Sequence, residues 1–322
     1  MNLTRKVKIL LKSREIIDTW LSSALEYMRG KENIRIKVGG KEFVVSRWFY
    51  EDIVSLFYDK EILGLKSEGD KLIIKTKIRD FTVDDYINKE GFIFIYEGLK
   101  RGWKYKDGVL EKEGVFFKYI SCSVFQVFDG REYDNIDVYD RDVVDIGANV
   151  GDSSIYFALK GARKVVGVEP LPNVYAHAIE NVKLNHLEGK IFLINAALGS
   201  MSGKIKVPCN TPASRSSYFS SLRAKGECEV PVVTLSEVMR HITEPYLLKM
   251  DCEGCEFDVI LNDYEHVKMF EKLIVEYHAK LPVFEYTKLI DKLHKDFHCK
   301  LTSYEPWVPK EYLGLLRCDK NK

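Results

Sequence analysis

The stretch Asp140–Ser154, DRDVVDIGANVGDSS, decides the fold. Val143, Val144 and Ile146 form a short apolar run of the kind buried in a parallel sheet, and Val150, Ile155, Phe157 and Ala158 fit the inner stripe of a following helix. Between the two lies Gly-Ala-Asn-Val-Gly. Open α/β sheets place their ligands at the carboxyl ends of strands, so a ligand is expected at this turn.

Downstream of it, short apolar strands alternate with helical stretches, the pattern of a parallel sheet covered by helices on both faces. The strands fall at 142–147, 164–169, 190–196, 246–251 and 272–277, with two more near 297–304 and 312–318. The link EPWVPKE between the last two is too short for a crossover helix, so this pair is predicted to be an antiparallel hairpin. Upstream, residues 3–28 read as one basic amphipathic helix, and IRIKVGGKEFVV alternates on both sides of Gly39-Gly40 as a hairpin does. The chain thus divides into an N-terminal α+β accessory region, 1–110, and an α/β domain, 111–322.

With 322 residues, 46% of them hydrophobic, and a net charge of +1, the chain has a full core and no overall bias toward nucleic acid or an anionic membrane. No apolar run reaches the ~20 residues of a membrane span, and the reading is a cytoplasmic protein. The basic N-terminal helix is expected to pack or to mediate a homodimer, with membrane attachment as the alternative. Seven cysteines, an odd number without regular spacing, argue against a secreted disulfide framework and for most of them being small buried hydrophobes. A single glutamine amid many Lys and Glu is a composition seen in proteins of hot environments, where intracellular disulfides do occur.

The glycine turn discriminates between ligands. A dinucleotide loop would carry Gly where Asn149 and Asp152 stand, and a carboxylate in the first helical turn competes with a pyrophosphate for the same amides. S-Adenosylmethionine has no phosphate and carries a sulfonium and an ammonium, which suit a loop flanked by Asp145 and Asp152. Glu169, about twenty residues on at the end of the second strand, is placed to accept both ribose hydroxyls.

Taken in order, VVDIGANVGDSSIYFALKGA, VVGVEPLPNVY, INAALGS, TLSEV, LLKMDCEGCEFDVI and VEYHA resemble the FkbM family of S-adenosylmethionine-dependent methyltransferases, over roughly Phe125 to His278. The resemblance implies a class I methyltransferase sheet, Rossmann-like and mostly parallel with its last strand antiparallel. It also implies methyl transfer to oxygen, often on a hydroxyl of a sugar or natural product. By position it makes Asp145, Gly147, Asn149 and Gly151 the cofactor loop, Glu169 the ribose contact, and Asn195, Ala196 and Ala197 the edge near the adenine.

At the chemical end, LLKMDCEG delivers Asp251 to the carboxyl end of one strand, and LIVEYHA delivers Glu276 and His278, two apart and on one face, to the end of another. An alcohol attacks a sulfonium methyl well only as its proton leaves, so Asp251 or His278, with Glu276 in reserve, is the expected base. Glu253 is read as an orienting or substrate-binding group. The same side chains could hold Mg²⁺ or Mn²⁺, yet their spacing matches no metal motif and no metal is assigned; Cys252-x-x-Cys255, as a zinc half-site or a redox pair, is disfavoured further because no second cysteine pair follows at metal-site spacing. The Ser-rich segment 209–228 reads as a lid or acceptor loop in which Arg215 and Arg223 meet anionic groups. Two other enzyme readings remain: an RNA methyltransferase using Trp103, Tyr105 and Phe117 to stack bases, and a dinucleotide-binding oxidoreductase.

Overall fold

The computed structural model describes residues 3–218, 226–279, 286–302, 309 and 311–321. The chain divides into two compact units, Met1–Leu110 and Glu111–Lys322.

The first unit is α+β. The hairpin Asn33–Val38/Lys41–Ser46 turns through Gly39 and Gly40, whose φ values of 58° and 82° give the two positive-φ positions that match a tight turn to the twist of its strands. A helix, Arg47–Tyr58, packs Phe49, Tyr50 and Ile53 into the core, and its buried Asp52 accepts hydrogen bonds from the amides of Phe92 and Ile93 at the start of the helix Ile93–Lys100. The predicted single helix over 3–28 is in fact two, Leu3–Lys12 and Trp20–Met28. The break has a cause distant in sequence. The Asp18 amide donates to the Lys37 carbonyl and Thr19 Oγ1 accepts from the Lys37 amide, so this segment is drawn onto the hairpin and Ile17 is buried. Trp103 and Phe117 are buried as well, which removes them as base-stacking surfaces, since stacking needs an exposed ring face.

The second unit is built on seven strands: β1 (Asp142–Ile146), β2 (Lys164–Val168), β3 (Ile191–Ile194), β4 (Leu247–Met250), β5 (Lys272–His278), β6 (Phe297–Thr302) and β7 (Leu313–Lys320). Their order is β3-β2-β1-β4-β5-β7-β6, parallel except for β7, which runs antiparallel to both neighbours. This is the class I methyltransferase sheet. The central strands are buried on both faces, which is why they read as continuous apolar runs: Val143, Val144, Val165, Val166, Leu247 and Leu248 are all inaccessible to solvent. Three helices matter for the site: α1 (Asp152–Leu159), α2 (Pro172–Leu184) and α3 (Cys255–Asn262).

The cysteines overturn the expectation of unpaired hydrophobes. Three disulfides join Cys209 to Cys228, Cys252 to Cys255 and Cys299 to Cys318, and Cys122 alone is not disulfide-bonded. Cys252 and Cys255 are a local pair, whereas spacing along the chain hides the other two because register creates them. Cys299 and Cys318 are direct partners in the β6–β7 ladder, and Cys228 opposes Val207, two residues before Cys209, in a smaller sheet.

Candidate active site

The turn after β1 is shaped by backbone hydrogen bonds. The amides of Gly147 and Ala148 both donate to the Val168 carbonyl at the end of β2, and Gly147 takes a φ of 79°. A Cβ on Gly147 would lie 1.7 Å from the Asp251 carbonyl oxygen, so glycine is required for β1 and the loop after β4 to approach this closely. Gly151, at φ 86°, is the N-cap of α1.

A crevice of about 300 Å³ opens along the carboxyl ends of β1, β2, β4 and β5. Gly147, Asn149, Asp152 and Glu169 line it from the ends of β1 and β2, Asp251, Glu253, Glu276 and His278 from the ends of β4 and β5, and Ala196 and Ala197 from beyond β3, next to β2. Asp145 lies beneath it with no exposure. Its carboxylate accepts from Ser153 Oγ at 2.7 Å and Ser154 Oγ at 2.5 Å and pairs with Lys249 Nζ at 3.1 Å, so it holds the floor of the turn. Asn195 is likewise behind the wall, its Nδ2 donating to the carbonyls of Glu169 and Pro170 and tying the end of β3 to that of β2.

Glu169 shapes the loop opposite. Its two oxygens accept from the amides of Asn149 at 3.0 Å and Leu171 at 2.8 Å, leaving lone pairs for a ligand. Burial pushes its pKa up to about 7 against the pull of those amides. Asp152 is also pushed up to about 7, by burial first and then by Asp145, and its Oδ1 has no hydrogen-bond partner. An acceptor atom buried against a crevice and left unsatisfied is costly, and a ligand bearing donors or positive charge relieves it.

Sequence reasoning missed Lys249. It is buried in the middle of β4, directly across from Asp145 in the β1–β4 register, and donates to the Gly147 carbonyl at 2.9 Å. Burial would lower its pKa, but Asp145, Asp251 and Asp152 outweigh that and hold it raised and charged. The lone charged letter in LLKM was the available signal. Glu256 was missed too: fully buried in α3, it accepts from the amides of Cys252 at 2.8 Å and Gly254 at 2.9 Å and so sets the course of the loop after β4. In that loop Glu253 takes a φ of 55°, and Asn149 across the crevice takes 48°, a conformation that non-glycine residues adopt mostly where the surroundings enforce it.

His278 is 8% exposed and stands among four carboxylates. Its Nε2 lies 3.4 Å from Glu253, 3.5 Å from Glu276 and 3.9 Å from Asp251, and its Nδ1 lies 3.5 Å from Glu256. Burial opposes its charge, yet Glu256, Glu276 and Asp251 raise its pKa well above the usual value. Glu276 is raised as well, by burial and by Asp251. Arg215 is half-buried in the turn Ala213–Tyr218, whose Ser216 reaches the crevice wall, while Arg223 lies outside the described residues.

Residues 145–298 match the Methyltransferase FkbM domain. This segment is an FkbM methyltransferase domain. A Methanocaldococcus jannaschii protein named "Putative protein N5-glutamine methyltransferase" is 44% identical over 57 residues, 18% of this chain, and the chain spans only 29% of that relative's length. An uncharacterized protein of Sulfolobus islandicus rod-shaped virus 1 is 24% identical over 163 residues, covering 51% of this chain and 76% of its own. Among solved structures, Methanocaldococcus jannaschii TYW2 in complex with AdoMet matches at 15% identity over 67% of this chain and 87% of that one, TM-score 0.41. An rRNA methylase from Streptococcus thermophilus matches at 10% identity over 58% and 90%, TM-score 0.38. No helix among the described residues is long and apolar enough to cross a membrane.

The methyl donor of such domains, S-adenosylmethionine, fits the crevice of this FkbM domain: Glu169 faces it with spare lone pairs, Asp152 offers a buried unsatisfied acceptor, and the glycine turn brings backbone close.

Proposed function

We propose that the protein methylates a hydroxyl oxygen of a small molecule or glycan. The observation that carries this reading is the cluster of Asp251, Glu253, Glu276 and His278 at the ends of β4 and β5, on the crevice wall opposite Glu169. S-Adenosylmethionine supplies an electrophilic methyl group on sulfur. Glu169 would accept the ribose hydroxyls, Asp152 would face the ammonium, and the glycine turn would lie along the donor's backbone-facing edge. The transferred methyl exchanges its bond to sulfur for one to the acceptor oxygen, and the acceptor's proton passes to the cluster. Asp251 is the leading acceptor for that proton; His278, its pKa raised well above the usual value by its carboxylate neighbours, would first have to pass its own proton on, and Glu276, its pKa raised by burial, holds a proton nearer neutrality than an ordinary carboxylate. Arg215 and the turn around it would contact the acceptor. The first unit, Met1–Leu110, would act as an accessory region that selects the acceptor or forms a homodimer.

Calorimetry tests the donor first. S-Adenosylhomocysteine should bind and NADH should not. Glu169→Ala should weaken S-adenosylhomocysteine by about 1.5–3 kcal/mol, the range for hydrogen bonds to a charged group. Transfer of labelled methyl to hydroxylated glycans and natural products, measured beside tRNA transcripts and peptides, tests the acceptor. Transfer to RNA or peptide nitrogen with none to hydroxyls would overturn the assignment to oxygen, and normal turnover by both Asp251→Asn and His278→Gln would remove these two as the base.

A further inference from the structure

We infer that Asp251, Glu276 and His278 form a binding site for one divalent cation, with Glu253 beside it. The inference rests on the methyltransferase reading only for its purpose; the ligand set stands on geometry. Asp251 closes β4 and the other two close β5, so adjacent strands bring to one point side chains that are 25 and 27 positions apart in the chain. One ligating atom from each of the three lies within 4.8 Å of those of the other two.

The distances leave room for an ion between the atoms. His278 Nε2 faces Glu253 at 3.4 Å, Glu276 at 3.5 Å and Asp251 at 3.9 Å. A direct hydrogen bond would be shorter, about 2.7–3.2 Å. Ligands held about 2.1 Å from a six-coordinate ion stand roughly 3.0 Å apart when adjacent and about 4.2 Å apart when opposite. The observed separations fall between these.

A second observation is independent of distance. His278 is more than nine-tenths buried, with Nε2 turned to the carboxylates of Asp251, Glu253 and Glu276 and Nδ1 turned away from them to that of Glu256. Even a charged imidazole leaves this group strongly negative. The neighbouring Lys249 is engaged with Asp145 and the Gly147 carbonyl. Concentrated negative charge in a partly dry crevice calls for a cation. Carboxylate oxygens joined by one imidazole suit Mn²⁺ over Ca²⁺, whose ligands are all oxygen. Three protein ligands leave open positions for an acceptor oxygen, and an oxygen bound to a divalent cation gives up its proton more readily.

Electron paramagnetic resonance with Mn²⁺ alone tests this on the full chain stripped of metal by chelator. Wild type should remove the six-line signal of one equivalent of free Mn²⁺. Glu276→Gln and His278→Gln, each checked for an unchanged melting profile, should weaken uptake at least tenfold, with Asp251→Asn as a third variant should either fail to fold. A free-ion signal unchanged by folded wild type, or uptake retained by all three variants, overturns the site. S-Adenosylhomocysteine calorimetry on the same metal-free sample keeps the two proposals apart: binding of it without Mn²⁺ uptake removes only the cation site, and Mn²⁺ uptake without it removes the methyltransferase reading.

Discussion

Three buried carboxylates at opposite ends of one sheet are treated in opposite ways. At the amino end of β1, Asp142 is 1% exposed and accepts from Arg163 Nε at 2.8 Å, from the Thr243 amide at 2.7 Å and hydroxyl at 2.8 Å, and from the Glu244 amide at 3.1 Å. Burial works against its charge, but these donors win and hold its pKa down to about 2. At the carboxyl ends, Asp152 and Glu169 are 2% and 6% exposed, and both are pushed up to about 7. Exposure is similar, but Asp152 and Glu169 lie deeper in the protein while Asp142 sits nearer the surface beside the half-exposed Arg163, so weaker desolvation and a fuller supply of donors together make the difference. One edge is saturated and serves stability; the other is left short of donors, which is the condition in which a ligand that brings them gains most.

The comparison breaks most visibly at Lys249, the charge beneath the unsaturated edge. Lys249→Met should lower unfolding free energy by about 3–5 kcal/mol in urea titrations, because Asp145 would remain buried without its counter-charge. A loss under about 1 kcal/mol would show that Ser153 and Ser154 suffice. At the saturated edge, Asp142→Ala should cost about 2–3 kcal/mol through its hydrogen bonds to charged groups, with affinity for S-adenosylhomocysteine unchanged. A parallel fall in affinity would mean that the two edges do not act separately.

The smallest effect, in pH, sharpens the contrast. Asp142 has a folded pKa below its ordinary 3.8, so its contribution is present above that value and disappears as pH falls toward 2. Glu169 and Asp152 have folded pKa values above their ordinary 4.5 and 3.8, so their contribution is complete below those values and is lost as pH rises through about 7. Melting temperatures of wild type measured against Glu169→Gln should therefore converge or cross as pH goes from 5 to 8, and against Asp142→Asn as pH goes from 4 to 2. A difference independent of pH in either series would contradict the corresponding assignment.

Much of this was legible because it is local. Val143 to Ala158 reads as strand, turn and helix within sixteen residues, Glu169 follows at the end of the next strand, and EPWVPKE is too short for a crossover helix. The approach of Asp251, Glu276 and His278 followed from each lying at a strand end. What stayed hidden depends on register between distant segments: Lys249 opposite Asp145, Cys299 opposite Cys318, and Asp18 and Thr19 pulled onto Lys37 to break a helix that periodicity alone would continue. Nothing in the neighbouring letters reports such partners.

The place of β1 between β2 and β4 has a consequence for how the molecule assembles. One lip of the crevice, from Gly147 to Glu169, forms within a short span of chain, whereas the other waits for β4 to dock on β1, a contact in which Asp142 meets Thr243 across 101 positions. Closing so long a loop is slow and comes late relative to local structure. A molecule that needs both lips therefore recognises only the finished sheet. Its presence should leave the refolding rate unchanged and express its whole stabilisation as slower unfolding.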